Sequence, residues 1–168
     1  DKFRDRTAAQ VLSAFATDTA LVLAHVDITE KSNEIPAAQT LLAELGVADG
    51  AIVTLDAYTA KKHFEVAAQG NIALIVQIKD NQPTLHQQSQ EISATTPPLG
   101  SAHSHDRGRN RDESRTVTIF DPADKLAGTD WHPHVAAIIR VERNVFTRNA
   151  ATGLLHHSTE IAFYVSNT

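Results

Sequence analysis

The strongest chemical signal in the chain lies in GAIVTLDAYTAKK, residues 50–62. Ala51, Ile52, Val53, Thr54 and Leu55 form a short apolar run that ends in one carboxylate, Asp56, and a helix-type pattern follows. An acid at the end of a buried strand costs desolvation energy unless it is hydrogen-bonded or coordinates a cation. In open α/β sheets, sites form just outside the carboxyl ends of strands. Asp56 is therefore the candidate catalytic and metal-ligating acid. An Asp at this place also caps a following helix, and the residues by themselves leave both roles open.

Three other groupings bear on chemistry. Arg107, Arg109, Arg111 and Arg115 lie within nine residues and suit bidentate contacts to phosphate. Asp106, Asp112 and Glu113 are interleaved with them, so a self-neutralising charged loop is an equal reading. Lys79, Asn81 and Gln82 follow an apolar run directly; they are placed to meet phosphates or base edges, or simply to make a turn. The pairs His103/His105, His132/His134 and His156/His157 are metal-capable residue types. None has the four-residue helical spacing that aims two imidazoles at one ion, and solvated loop histidines are the simpler reading. No Gly-rich phosphate loop and no nucleophile elbow is present.

Composition narrows the classes. There is no cysteine, which excludes disulfides and thiolate metal sites and agrees with a cytoplasmic location. The net charge of −5 excludes a strongly basic DNA-coating protein, so any nucleic-acid surface must be local. No run approaches the ~18–20 apolar residues of a membrane span.

The elements that must position these residues follow from periodicity. Residues 10–16 and 21–28 read as two strands joined by the turn Thr17, Asp18 and Thr19. Ile35, Ala38, Leu42 and Leu45 recur at helical steps up to Gly46, a left-handed cap. The strand 51–55 precedes a second helix with Ala60, Phe64, Ala67 and Ala68 on one face, ending at Gly70. Residues 72–78, IALIVQI, read as a central strand buried on both faces, and Pro83 starts a third helix to about Ile92. Strands separated by helices of about ten residues imply a parallel βαβ unit, so the antiparallel hairpin leads into a mixed sheet. Residues 93–112 read as a charged loop. Residues 115–120, 135–142 and 161–165 read as later strands. The division expected is 1–92 as core, 93–112 as loop and 113–168 as a β-rich part.

The segments VLSAFATDTALVLAHVDITEKSNEIPAAQTLLAELGVADGAIVTLDAYTAKK, LIVQIKDNQPTLHQ, RGRNRDESRTV, WHP and EIAFYVSN, in that order, resemble transposases of the ISAs1 group. These are related to the H-repeat-associated proteins within the larger IS4-like DDE class. The likeness is colinear from about Arg6 onward. It implies a ribonuclease-H-like α/β fold: a mixed sheet with flanking helices and a β-rich C-terminal part. It also implies metal-dependent DNA strand cleavage and strand transfer, in which three acids hold two divalent ions, Mg2+ or Mn2+, that activate the attacking oxygen. By this resemblance Asp56 matches the second acid, Lys79, Asn81 and Gln82 match a KGNQ segment, and Arg111, Glu113 and Arg115 match a GRIETR-like segment. DNA at transposon ends is the implied partner, contacted by Lys79, Asn81, Gln82, Arg109, Arg111 and Arg115.

The chain also departs from the pattern. The first acid belongs to a DGK motif, whereas here Asp1 precedes Lys2 and Phe3; the first acid is expected upstream of this segment. The third acid belongs to a helix expected beyond Thr168, and the position of Glu113 in the pattern argues against that role for it. Lys61 stands for an expected glutamine, Asp80 for a glycine, and Arg109 and Asn110 for His-Gly. One carboxylate does not hold two metals, so the segment by itself is expected not to transpose DNA. The alternative is a truncated, non-catalytic relic that binds DNA or protein. A missing central strand would leave two sheet edges unpaired, from which self-association is expected.

Overall fold

The computed structural model describes residues 10–16, 20–28, 34–44, 52–55, 60–69, 71–79, 81–108 and 110–168. Two units are present: residues 1–52 with 58–73, and residues 53–57 with 74–168.

In the first unit, β1 (Gln10–Ala16) and β2 (Leu21–Ile28) pair antiparallel from Gln10↔Ile28 to Ala16↔Leu21, with a register shift between Ala14 and Phe15. Ala20 takes a positive φ of 55° before β2 begins. Helix α1 (Glu34–Glu44) buries Ala37, Ala38 and Leu41, and α2 (Ala60–Gln69) buries Phe64 and Ala67. These three- and four-residue steps put each set on one helical face. Helix α1 packs on α2, β1 and β2. The hairpin expected to enter the mixed sheet instead forms a two-stranded sheet of its own. Its runs of Val, Leu and Ala read as buried, yet Phe15, Leu21, Val22 and Leu23 are all more than half exposed.

The second unit is built on a six-stranded sheet in the order β3-β4-β8-β7-β6-β5. Its strands are β3 (Ile52–Leu55), β4 (Ala73–Ile78), β5 (Gly100–Gly108), β6 (Arg111–Phe120), β7 (Ala137–Arg148) and β8 (Leu155–Ser166). The pairs β4/β8, β8/β7, β7/β6 and β6/β5 are antiparallel. Alternation in β4 buries Leu74, Val76 and Ile78. Between β4 and β5 runs α3 (Pro83–Thr95), opened by a proline at a position where no helical N–H is lost. It stops two residues before Pro97, as residues preceding proline leave the helical region. Leu85, Ser89 and Ile92 are its buried positions, and the Ser89 hydroxyl is satisfied by donating to the Leu85 carbonyl at 2.8 Å. The helix lies against β7, β8 and a short 3-10 helix, Ala123–Leu126. Phe120, Leu126, Ile138, Phe163 and Val165 are buried in this unit, and His86 meets the Phe163 ring edge-on at 5.5 Å.

The expected loop over residues 93–112 is not one. Helix α3 continues to Thr95, β5 occupies Gly100–Gly108, and β6 begins at Arg111. The two last strands are likewise longer than expected, twelve residues each. The reason is physical: every residue of β5 is exposed, so no buried face imposes the apolar alternation by which strands are recognised. The sheet therefore has a covered end beside α3 and an arm, made from the opposite ends of β5–β8, that carries polar residues on both faces. Asn110, at a φ of 57°, turns β5 into β6. At the β7–β8 turn the Asn149 side chain accepts the amides of Ala151 and Thr152 at 2.9 and 3.0 Å, and Gly153 supplies a φ of 70°. The chain is of the α/β class, and among the described residues no helix is long and apolar enough to cross a membrane.

Candidate functional site

The segment Arg-Asp-Glu-Ser-Arg, residues 111–115, lies within β6. Successive side chains of a strand alternate faces, so Arg111, Glu113 and Arg115 share one face of the arm. Register adds their neighbours: Arg115 stands opposite Arg143 of β7, which stands opposite Glu160 of β8. Glu113 stands opposite Val145 and, across β5, Asp106.

Glu113 is the centre of this group and is nearly buried, at 7% exposure. Arg143 donates to it twice, from Nε to Oε1 at 2.9 Å and from Nη2 to Oε2 at 3.2 Å. Arg115 Nη2 reaches Oε1 at 2.7 Å, and Arg111 Nη2 donates to Oε2. Arg143 also donates from Nη1 to Glu160 Oε2 at 3.3 Å. A carboxylate removed from water in this way is sustained only by pairing and hydrogen bonds to its remaining lone pairs. The hydrogen bond from Arg143, with those and the charges of Arg111 and Arg115, lowers the Glu113 pKa to about 2 against the opposing effect of burial. The same contact raises the Arg143 pKa. Each guanidinium offers five N–H donors, and Glu113 with Glu160 takes only a minority of the fifteen. Arg111 and Arg115 keep about half of their side-chain surface exposed. Beside them lies an open cleft of about 300 Å³ lined by Ser104, Asp106, Gly108, Arg111, Glu113 and Arg115. The arrangement can offer converging, charged, bidentate donors to an anion.

The other face of the arm is chemically different. His105 Nε2 meets Asp112 Oδ1 at 2.6 Å, and His103 Nδ1 meets Thr116 Oγ1 at 3.2 Å. The Phe146 and His157 rings stack at 4.2 Å, nearly parallel. The Thr159 hydroxyl donates to Asn144 Oδ1 at 2.7 Å. His103, His105, His156 and His157 are thus strand residues, not loop residues. Among the described residues no three His, Asp or Glu side chains gather as a metal site would require.

Of the residues singled out from the sequence, Arg111 and Arg115 are brought together. Lys79, Asn81 and Gln82 occupy the connection between β4 and α3, where the Gln82 amide donates to the Lys79 carbonyl at 2.9 Å and the Gln82 carbonyl accepts from His86 at 2.9 Å. They do serve as turn formers. The Gln82 side-chain oxygen is buried and has no hydrogen-bond partner among the described residues. Two strands, β8 and β7, separate β4 from β6, about 14 Å at ordinary strand spacing, so this group and the arginines are separate. Asp56 and Arg109 lie outside the described residues. Sequence reasoning did not find Arg143 and Glu160. The charged residues at period two, Arg111, Glu113 and Arg115, were the available signal for a strand face, and they were read as loop.

No family model matches the chain, and no solved structure matches it. Relatives are found among curated proteins. "H repeat-associated putative transposase YhhI" of Escherichia coli K12 is 33% identical over 132 residues, covering 75% of this chain and 34% of that protein. "H repeat-associated putative transposase YbfD" of the same strain is 31% identical over 132 residues, covering 75% of this chain and 51% of that protein. A Xanthobacter autotrophicus protein, "Uncharacterized protein in dhlA 3'region", is 30% identical over 142 residues, 80% of this chain and 47% of that protein. The chain spans a third to a half of the length of these relatives. Over three quarters of its own length it is similar to H repeat-associated transposases.

Proposed function

We propose that this chain is the part of a DNA transposase that contributes one acid, Asp56, to a ribonuclease-H-like catalytic core and a β-sheet arm to the contact with DNA. The observation that carries the reading is the similarity, over three quarters of the chain, to proteins named as H repeat-associated transposases. The Arg111, Arg115 and Arg143 cluster supports it, because guanidinium forks are the side chains best matched to phosphate oxygens. Metal-dependent strand cleavage and transfer is the reaction proposed for the whole protein, of the DDE type and with Mg2+ or Mn2+ as cofactor. Asp56 would be one of its ligands, and the described residues gather no further set, so no step is derived through the ion. A non-catalytic binding domain would share the same arm and differ at Asp56.

The arm is tested by fluorescence anisotropy on a 30-base-pair duplex at several salt concentrations. Replacing Arg111 and Arg115 together by Gln should weaken binding and lower the slope of log K against log salt by about 2, since each phosphate contact contributes about 0.9. Absence of wild-type binding at 50 mM salt, or an unchanged slope, would sink the DNA-contact reading. Calorimetric titration with Mn2+ tests Asp56: the metal reading expects Asp56→Asn to abolish binding, and unchanged binding makes Asp56 a structural cap.

A further inference from the structure

Arg115 and Arg143 are direct cross-strand neighbours on one face of the arm. Like charges in that position repel, and left alone the two guanidiniums would turn away from each other. Arg111 and Arg115 are four residues apart along β6, so their backbones are about 14 Å apart. Nevertheless all three guanidiniums converge on the two oxygens of one carboxylate. That carboxylate is 7% exposed, whereas Arg111, Arg115 and Arg143 keep 48%, 53% and 34% of their side-chain surface in solvent. Glu113 thus lies beneath the guanidiniums, and their unused donors are the part that meets solvent.

We propose that Glu113 is a positioning residue that gathers Arg111, Arg115 and Arg143 into a clamp for a single phosphodiester of bound DNA. The inference rests on the reading of the arm as a DNA-contact surface and adds to it the element that arrays the arginines. A side chain already held in its binding geometry loses less freedom when the ligand arrives. The charges nearby do not favour an anion through sheer excess. Glu113, Glu160 and Asp106 balance the three arginines in number, so the attraction depends on where the donors point. The single carboxylate explains why they point together.

This makes the expected sign of a substitution unusual. Removing a negative charge from a DNA-contact surface strengthens binding if charge alone matters. If Glu113 positions the arginines, Glu113→Gln should weaken duplex binding about three- to ten-fold despite the gain of one net positive charge. It should also flatten the salt dependence, because fewer phosphate contacts remain. Glu113→Asp keeps the charge but is one methylene too short to reach all three guanidiniums, and it should also weaken binding. Glu160→Gln removes the same charge at the exposed rim, where the side chain is 65% exposed, and should leave binding equal or tighter. Far-UV circular dichroism of each variant follows the strands, and Glu113→Asp serves if Glu113→Gln does not fold. Binding by both Glu113 variants that equals or exceeds wild type would overturn the inference while leaving the DNA reading intact. Absence of wild-type binding would remove the DNA reading and the inference with it.

Discussion

Two rows of side chains on the same three strands differ in almost every respect. Phe120, Ile138 and Val165 are cross-strand neighbours at the covered end of the sheet, where each is at most 4% exposed. Arg115, Arg143 and Glu160 are cross-strand neighbours in the arm, five residues farther along. The first row is organised by burial, with α3 and Leu126 packed in the same unit. The second is organised by hydrogen bonds around Glu113. A strand needs a partner for its backbone groups but not a hydrophobic face. The ladder therefore continues past the point where the core stops, and its surplus length is available for recognition.

The comparison predicts that the covered end carries the stability. Ile138→Ala should destabilise the protein by about 2–5 kcal/mol, the range for deleting a fully buried aliphatic side chain, measured by denaturant unfolding. A loss below about 1 kcal/mol would mean that the row is not a core.

A smaller effect is expected from acid in the arm. The Glu113 pKa is lowered from 4.5 to about 2 in the folded protein. A depressed carboxylate contributes stability that is present above the unfolded value and is lost as pH falls through the folded one. The difference in thermal midpoint between wild type and Glu113→Gln should therefore be constant above about pH 4.5 and shrink between 4.5 and 2. A difference that stays constant down to pH 2 would contradict the pairing. The smallest effect is expected at Phe146, which is 45% exposed and stacked on His157. Phe146→Ala should cost about 1 kcal/mol or less. If it matched Ile138→Ala, the arm would be a second core and the contrast would fail.

The same contrast explains what could be read in the sequence. Strands β1–β4 and helices α1–α3 announce themselves through apolar periodicity or through caps and prolines, and the elements expected there are found within a few residues. The arm does not, because Gly100–Gly108 has no buried face to impose a pattern and its charges resemble those of a solvated loop. The hairpin β1–β2 misled in the opposite sense, since Phe15, Leu21, Val22 and Leu23 suggested a burial that the described structure does not give them. At the site, Arg111 and Arg115 were legible as types suited to phosphate. Arg143 was not, because its place beside Glu113 depends on a strand register spanning thirty residues of chain. No local pattern encodes that register.

The pairing of β4 with β8 bears on how the chain is made. The partners Ile78↔Phe163 and Ile75↔Ser166 are 85 and 91 residues apart, and the Leu74 amide is accepted by the Asn167 side chain at 2.7 Å across a similar gap. At about 5–20 residues per second, β4 leaves the ribosome roughly 4–18 s before the strand that covers its edge. The hairpins β5–β6 and β7–β8 close over short loops and have no such wait. The slow step of this unit should therefore be the arrival of β8 at β4. Pulse-labelled hydrogen exchange would show it as β6 and β7 amides protected before those of Ile75 and Gln77. Until then the nascent chain presents an apolar strand with an open edge, and its exposure to aggregation is set by the time of synthesis rather than by the stability of the finished fold.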